Sequence, residues 1–174
     1  PYFPNQPGAN FVGSNYVSVE DGVYIVYEGR CLRLDPATGE TLGEFAVPGS
    51  DSEDARMGWG FVVHDDLIVT GVDPQMFDDT PIADEESWNA TSSERLAVMD
   101  RYTGEVLWQT ESRIGFRHNT IIADAGTVFV IDGLSEKQVE MLQRRGQSPD
   151  QPPRLMAFDA HSGERLWARN AETF

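Results

Sequence analysis

One eleven-residue design occurs three times along the chain, and it limits the fold more than any other feature. Ala157 to Trp167 reads Ala-Phe-Asp-Ala-His-Ser-Gly-Glu-Arg-Leu-Trp, and Val98 to Trp108 reads Val-Met-Asp-Arg-Tyr-Thr-Gly-Glu-Val-Leu-Trp. Arg33 to Gly43 is the third copy, Arg-Leu-Asp-Pro-Ala-Thr-Gly-Glu-Thr-Leu-Gly, altered at both ends. Each copy predicts a strand, a tight turn and a second strand. Asp35, Asp100 and Asp159 can fold a carboxylate back onto the N–H groups of the turn, and the Thr or Ser supports it. Gly39, Gly104 and Gly163 supply the positive φ that ends a short hairpin loop. Ahead of the turns, Leu32/Leu34, Ala97/Met99 and Met156/Phe158 alternate with other residues, which is strand periodicity. One such hairpin would be ordinary; three with Glu after the Gly and Leu three positions after it mark a repeat architecture.

The rest of the chain falls into place around these turns. Pro1 to Gly13 has the composition of an irregular lead-in. Asn15 to Val19 and Val23 to Tyr27 read as a hairpin across Asp21-Gly22, and Cys31 to Leu34 with Thr41 to Val47 completes a first set of four strands. A second set comprises Phe61 to His64, Leu67 to Val72, Arg95 to Met99 and Val106 to Gln109. A third comprises Thr120 to Ala123, Val128 to Ile131, Arg154 to Phe158 and Arg165 to Ala168. Interruptions at residues 72–94 and 134–153 occupy the same place in successive units, between the second and third strands. With these set aside, the repeat is roughly 40 residues, matching the ~40–45 of a four-stranded propeller blade. The second interruption predicts a helix: Ser135 as N-cap, Gln138 as capping-box partner, Glu140 and Arg144 four apart, Gly146 closing the end.

Charge and cysteine content exclude several function classes. Net charge is −16, from 29 acidic and 13 basic residues, so a nucleic acid or an anionic membrane is not the expected partner. Cys31 is the single cysteine; it precludes an internal disulfide or a thiolate metal cage and reads as a small buried hydrophobe in a strand. No apolar run approaches membrane-spanning length.

The pattern Ala-x-Asp-x-x-Ser/Thr-Gly-Glu-x-x-Trp resembles the repeat of the quinoprotein-like, or pyrroloquinoline-quinone (PQQ)-type, β-propellers over most of the chain. The resemblance implies an all-β fold of four-stranded antiparallel blades with one short helix in an insertion. The expected organisation over residues 1–174 is a single partial propeller domain, with blades at about 14–48, 57–110 and 116–170. It also implies a docking role for the last residue of the motif, a Trp that packs on the neighbouring blade's turn; Trp108 and Trp167 match it. Gly43 departs from it, and Phe45, two residues on and therefore on the same strand face, is the expected substitute. Three blades alone leave open apolar faces, so the remaining blades of a larger protein, or self-association, are expected to cover them.

Residues entering the first strand of each blade line a propeller's channel. On that basis Arg117, His118, Asn119, Trp59 and Asn15 are the candidate cofactor-binding or anion-binding residues: the cation for charge, the amides for hydrogen bonds, the indole for stacking. Asp78, Asp79, Asp84, Glu85 and Glu86 offer hard oxygen ligands for calcium, without the alternating spacing and central Gly of a dedicated loop; solvated charge is the more ordinary reading. The quinone-dependent members of the family imply PQQ, calcium, a catalytic Asp and a Trp platform. No run here matches the calcium or base positions, so no catalytic residue is assigned and no cofactor is expected.

No Gly-rich phosphate loop, Ser-His-Asp order or metal-spaced His/Cys cluster occurs, which points away from a self-contained enzyme. The expectation is a non-catalytic binding or assembly scaffold in a larger exported or periplasmic bacterial protein, with a protein partner and no membrane insertion. The alternative is part of a PQQ-dependent dehydrogenase domain, since the motif specifies fold and not chemistry.

Overall fold

The three repeat turns fold as their side-chain chemistry requires. In the computed structural model, which describes residues 16–27, 29–46, 57–75, 92–134 and 136–170, the Asp35 carboxylate accepts from the N–H groups of Ala37 and Thr38, both at 2.8 Å. Asp100 accepts from Tyr102 and Thr103 at 2.9 and 2.7 Å, and Asp159 from His161 and Ser162 at 3.2 and 2.8 Å. The N–H groups of Gly39, Gly104 and Gly163 close each turn onto the carbonyls of Asp35, Asp100 and Asp159. These bonds favour the ionised form, so all three carboxyls are held below the ordinary aspartate range, with backbone N–H donation the largest cause.

Around the turns run antiparallel strands in three sets. The first contains β1 (Tyr16–Val19), β2 (Gly22–Tyr27), β3 (Arg30–Leu34) and β4 (Thr41–Phe45), paired in sequence order. The second contains β5 (Met57–His64), β6 (Leu67–Gln75), β7 (Ser92–Asp100) and β8 (Val106–Arg117). The third contains β9 (Ile122–Asp124), β10 (Thr127–Asp132), β11 (Arg154–Asp159) and β12 (Arg165–Asn170), with α1 (Glu136–Arg144) between β10 and β11. Helix α1 carries the expected Glu140–Arg144 pair at 3.5 Å. It is closed by Gly146, whose N–H donates to Gln143 O. The fold is all-β and antiparallel with one short helix: β1 to β4 form a four-stranded sheet, and a pairing of β8 with β10 at Phe116 and Asp132 joins the second and third four-stranded sets into one eight-stranded sheet.

Residues 67–72 of β6 and 96–99 of β7 are buried on both faces, and alternation along these strands divides two cores. Ile68, Val72, Ala97 and Met99 join Tyr24, Val26, Cys31 and Phe45 in the core shared with the first set. Leu67, Val69, Leu96 and Val98 join Val128, Val130, Met156 and Phe158 in the core shared with the third. Strand β6 therefore reads as a continuous apolar run and not as an alternating one, the mark of a strand covered from both sides. Each fully buried aliphatic side chain here contributes about 1.5–3 kcal/mol. Cys31 is fully buried in β3, and burial pushes its thiol up to about 12.

The seams between sets repeat one contact. Trp108 of β8 lies on the Asp159–Gly163 turn: its Nε1–H donates to Ala160 O at 2.8 Å, and its ring centroid is 5.6 Å from that of Phe158. A Cβ at Gly163, which has φ +72°, would lie 2.7 Å from the indole. Phe45 of β4 does the same one set earlier: a Cβ at Gly104 would lie 2.8 Å from its ring, and Phe45 is buried. Phe45 thus takes the place that Gly43 vacates in the motif. Glycine is needed at both turns for two reasons, the left-handed φ and the aromatic face resting on it.

Several boundaries differ from the sequence reading. Strand β8 runs on to Arg117, well past Gln109, and His118–Thr120 forms a 3-10 turn, so Arg117 ends the second set and does not open the third. Pairing with β7 continues to the end of β8, where Phe116 opposes Ser93 and Arg117 opposes Ser92. Strand β6 continues to Gln75 and β7 begins at Ser92, so the described edges of the 72–94 interruption are strand. Ser135 and residues 76–91 lie outside the described residues.

Candidate functional site

The two interruptions start from opposite walls of one cleft. Pro74, Gln75, Ser92 and Glu94 border the first interruption, and Gly133, Leu134 and Gln138 border the second; with Ile114 and Gly115 they enclose about 530 Å³. A second depression of about 550 Å³ adjoins it, sharing Ile114 and Leu134 and reaching Arg113, Leu142 and the 147–151 segment. Ser92 and Gln138 are both buried, so Gln138, expected as a helix-capping residue, contributes an amide to the cleft wall. The strand register aligns Gln75, Ser92 and Arg117 across β6, β7 and β8. Directly opposed residues share a sheet face. Gly115 is on that face too, and it is small for a reason: a Cβ there would lie 2.8 Å from Gln75 Oε1 and 2.9 Å from Ser92 Oγ.

The proposed channel residues meet different surroundings. Arg117 is half-buried, and burial alone lowers its pKa from the ordinary arginine value. His118 is turned inward, 3% exposed, with Nε2 2.7 Å from Ser93 Oγ, and belongs to the 3-10 turn. Asn119 is exposed. Trp59 belongs to β5, and its side chain, like Asn15, lies outside the described residues, as do Asp78, Asp79, Asp84, Glu85 and Glu86.

One polar centre escaped the sequence reading. Asp132, fully buried at the end of β10, accepts from the N–H groups of Arg113, Ile114 and Gly115 at 3.1, 2.9 and 3.1 Å. Arg154 donates to the same carboxylate at 3.1 Å, and Arg113 Nε stands 3.9 Å away. The Gly133 N–H donates to Gly115 O beside it at 3.0 Å. This carboxylate clamps the second set to the third. The signal for it was parity: Asp132 follows Val128 and Val130 on the inward side of β10, and a buried acid needs compensating donors. A smaller counterpart joins the first set to the second, where Asp21 accepts from the Tyr24 hydroxyl at 2.9 Å and lies 3.5 Å from both Arg33 and Arg101.

The described residues do not suit calcium. Among them no group of three His, Cys, Asp or Glu side chains gathers as a metal would require. Asp132, the one fully buried carboxylate among them, is surrounded by N–H donors, which occupy the lone pairs a cation would use.

The last blade presents the seam's aromatic without a turn to receive it. Trp167 is 38% exposed, and its ring contacts Phe129 of its own sheet at a centroid distance of 6.0 Å. At the other end, a Cβ on Gly39 would meet nothing within 4 Å. Leu42, Leu107 and Leu166, equivalent in the repeat, are all exposed. No helix of the described residues is long and apolar enough to cross a membrane.

Comparison with known proteins agrees with this architecture. Among solved structures, BamB from Moraxella catarrhalis is similar with a TM-score of 0.51 and 18% identity, over 90% of this chain and 37% of its own. Quinohemoprotein alcohol dehydrogenase from Comamonas testosteroni gives 0.54 and 16%, over 91% of this chain and 21% of its own. A europium-containing methanol dehydrogenase gives 0.55 and 13%, over 90% and 24%. The chain thus spans well under half the length of each, and at these identities the likeness concerns fold alone. No curated protein matches the sequence. The sequence family described as "Outer membrane protein assembly factor BamB" matches residues 27–173. With so much of the chain covered, the protein belongs to that family of PQQ-like repeat propellers.

Proposed function

We propose that the chain is a non-catalytic assembly scaffold, part of an exported propeller protein, whose open blade faces take further blades of the same kind. The observation that carries this reading is the seam. Its two internal copies, Phe45 on the Gly104 turn and Trp108 on the Gly163 turn, leave one unmatched aromatic at Trp167 and one uncovered turn at Gly39. These are the two halves of the same contact. Rigid seams fix the blades, and the interruptions, which flank one cleft, present contacts to a protein partner from a single side.

A second copy of the chain is the testable case. Sedimentation of the full chain across a concentration series is expected to show head-to-tail association, a heterologous contact that is not limited to dimers. Trp167→Ala combined with Leu166→Asp is expected to abolish it. A chain monomeric at every concentration would sink the proposed occupant. Saturable binding of PQQ, followed by absorbance with and without calcium, would replace the scaffold with the dehydrogenase alternative.

A further inference from the structure

Each internal seam holds one carboxylate between two arginines, one from either side. Between the first and second sets the acid is Asp21, with Arg33 of its own set and Arg101 of the next both at 3.5 Å. Between the second and third it is Asp132, with Arg154 of its own set at 3.1 Å and Arg113 of the previous set at 3.9 Å. The chain has 29 acidic and 13 basic residues, so two cations on one acid is a property of the seams and not of composition. A carboxylate can accept from both, because its two oxygens offer about four lone-pair sites.

The two open faces carry the parts of a third such contact. In the first set, Tyr24, Val26, Cys31 and Phe45 face the second set. Glu44, opposed by Leu32 with Ile25 and Tyr16 in line beyond it, is therefore on the face turned away. It pairs with Arg30 of the same set. In the third set, Val128, Val130, Met156 and Phe158 face the second. Trp167, in line with Phe129 and Ile122, and Arg169, opposed by Leu155, are on the other face. Arg169 is exposed, and no carboxylate of the described residues pairs with it. One open face thus has an acid with its own arginine, and the other has the second arginine.

The repeat brings these two residues to matching places. Glu44 is the ninth residue after the repeat Asp of its set, and Arg169 is the tenth after that of its own. In the internal seams the same two positions belong to a common contact: Ala168, a ninth residue, packs with Trp108 on the core between the second and third sets. There the tenth and ninth positions pair Phe45 with Gln109 and Thr110 with Ala168, and neither combination holds two charges. The open ends alone combine Arg169 with Glu44, opposite in sign. Opposite charges fix which faces meet and in which order, while the surrounding apolar area supplies attraction. That area is present on both sides, with Tyr16 59%, Ile122 56% and Trp167 38% exposed.

We infer that the third set of one chain docks on the first set of a second copy, with Arg169 joining Arg30 on the Glu44 carboxylate across the new seam. The inference rests on the scaffold reading and names the charges that select the partner face. The test is sedimentation of the full chain across a concentration series at fixed low ionic strength. The unmodified chain is expected to associate. Arg169→Glu and Glu44→Arg, each alone, are expected to weaken association about tenfold or more, because each replaces an attraction by a repulsion. Both substitutions in one chain restore the complementarity with the signs exchanged, and association is expected to recover to within about threefold of the unmodified chain.

Melting temperatures of the dilute variants check that each is folded, and little change is expected: Arg169 loses no partner, and the Arg30–Glu44 pair is exposed on both sides. Association that is lost with Trp167→Ala and Leu166→Asp but indifferent to both charge reversals would overturn this contact and leave the aromatic seam standing. Loss in the single variants without recovery in the double variant would overturn it too, since the two residues would then not meet. A chain monomeric at every concentration would remove the second copy altogether and assign the open faces to another occupant.

Discussion

Trp108 and Trp167 hold the same place in successive repeats and end in different surroundings. Trp108 is covered by the next blade's turn, donates its indole N–H to Ala160 O and lies so close to Gly163 that no Cβ would fit. Trp167 meets only Phe129 of its own sheet among the described aromatic pairs and is 38% exposed. The difference teaches that the motif encodes half of a contact. The indole is a prepared surface, and its energetic worth depends on whether a turn arrives to cover it.

Breaking the closed seam at its polar clamp is expected to have the largest effect. Asp132→Ala leaves three N–H groups and Arg154 without their acceptor, and a loss of about 3–5 kcal/mol in chemical denaturation is expected. An equal loss for Asp21→Ala would show that the two internal seams are equivalent, whereas the smaller set of partners at Asp21 predicts a milder loss. Next comes the direct comparison. Trp108→Ala should cost about 3 kcal/mol, and Trp167→Ala below about 1 kcal/mol at concentrations where the chain is monomeric. Similar losses at both positions would mean that burial against the neighbouring turn is not what distinguishes them.

The turns give a finer measure. Gly163→Ala combines a left-handed φ with a clash against Trp108 and should cost about 2 kcal/mol or more, while Gly39→Ala, with open space above it, should cost about 1 kcal/mol from backbone strain alone. The smallest effect is a pH dependence. Asp35, Asp100 and Asp159 are held below the ordinary aspartate value, so the unfolded chain binds more protons than the folded one as pH drops below about 4. Their stabilisation is complete above the unfolded value and disappears as pH falls through the folded ones. Thermal midpoints between pH 5 and 2 should fall less steeply for Asp159→Asn than for the unmodified chain; parallel profiles would remove the carboxylate from the turn's stability.

The turns, the blade type and the substitution of Phe45 for the missing Trp were legible because each depends on residues close in sequence. An Asp reaches N–H groups two and three positions on, and period-two geometry carries a ring from position 43 to 45. Asp132 was not legible in this way. Its partners come from residues 17 to 22 positions away, and only pairing of β8 with β10 brings them together. The same register moved Arg117 from the start of a channel strand to the end of an outer strand, and turned His118 inward to Ser93.

The amino-acid sequence by itself determined the hairpin turns, the number of times they recur and the chemical halves of each seam, since these follow from local hydrogen bonding and strand periodicity. Only the tertiary structure decided which aromatic is covered and which acid is clamped. Those outcomes depend on desolvation and on donors from distant strands, and no local pattern of residues reports either.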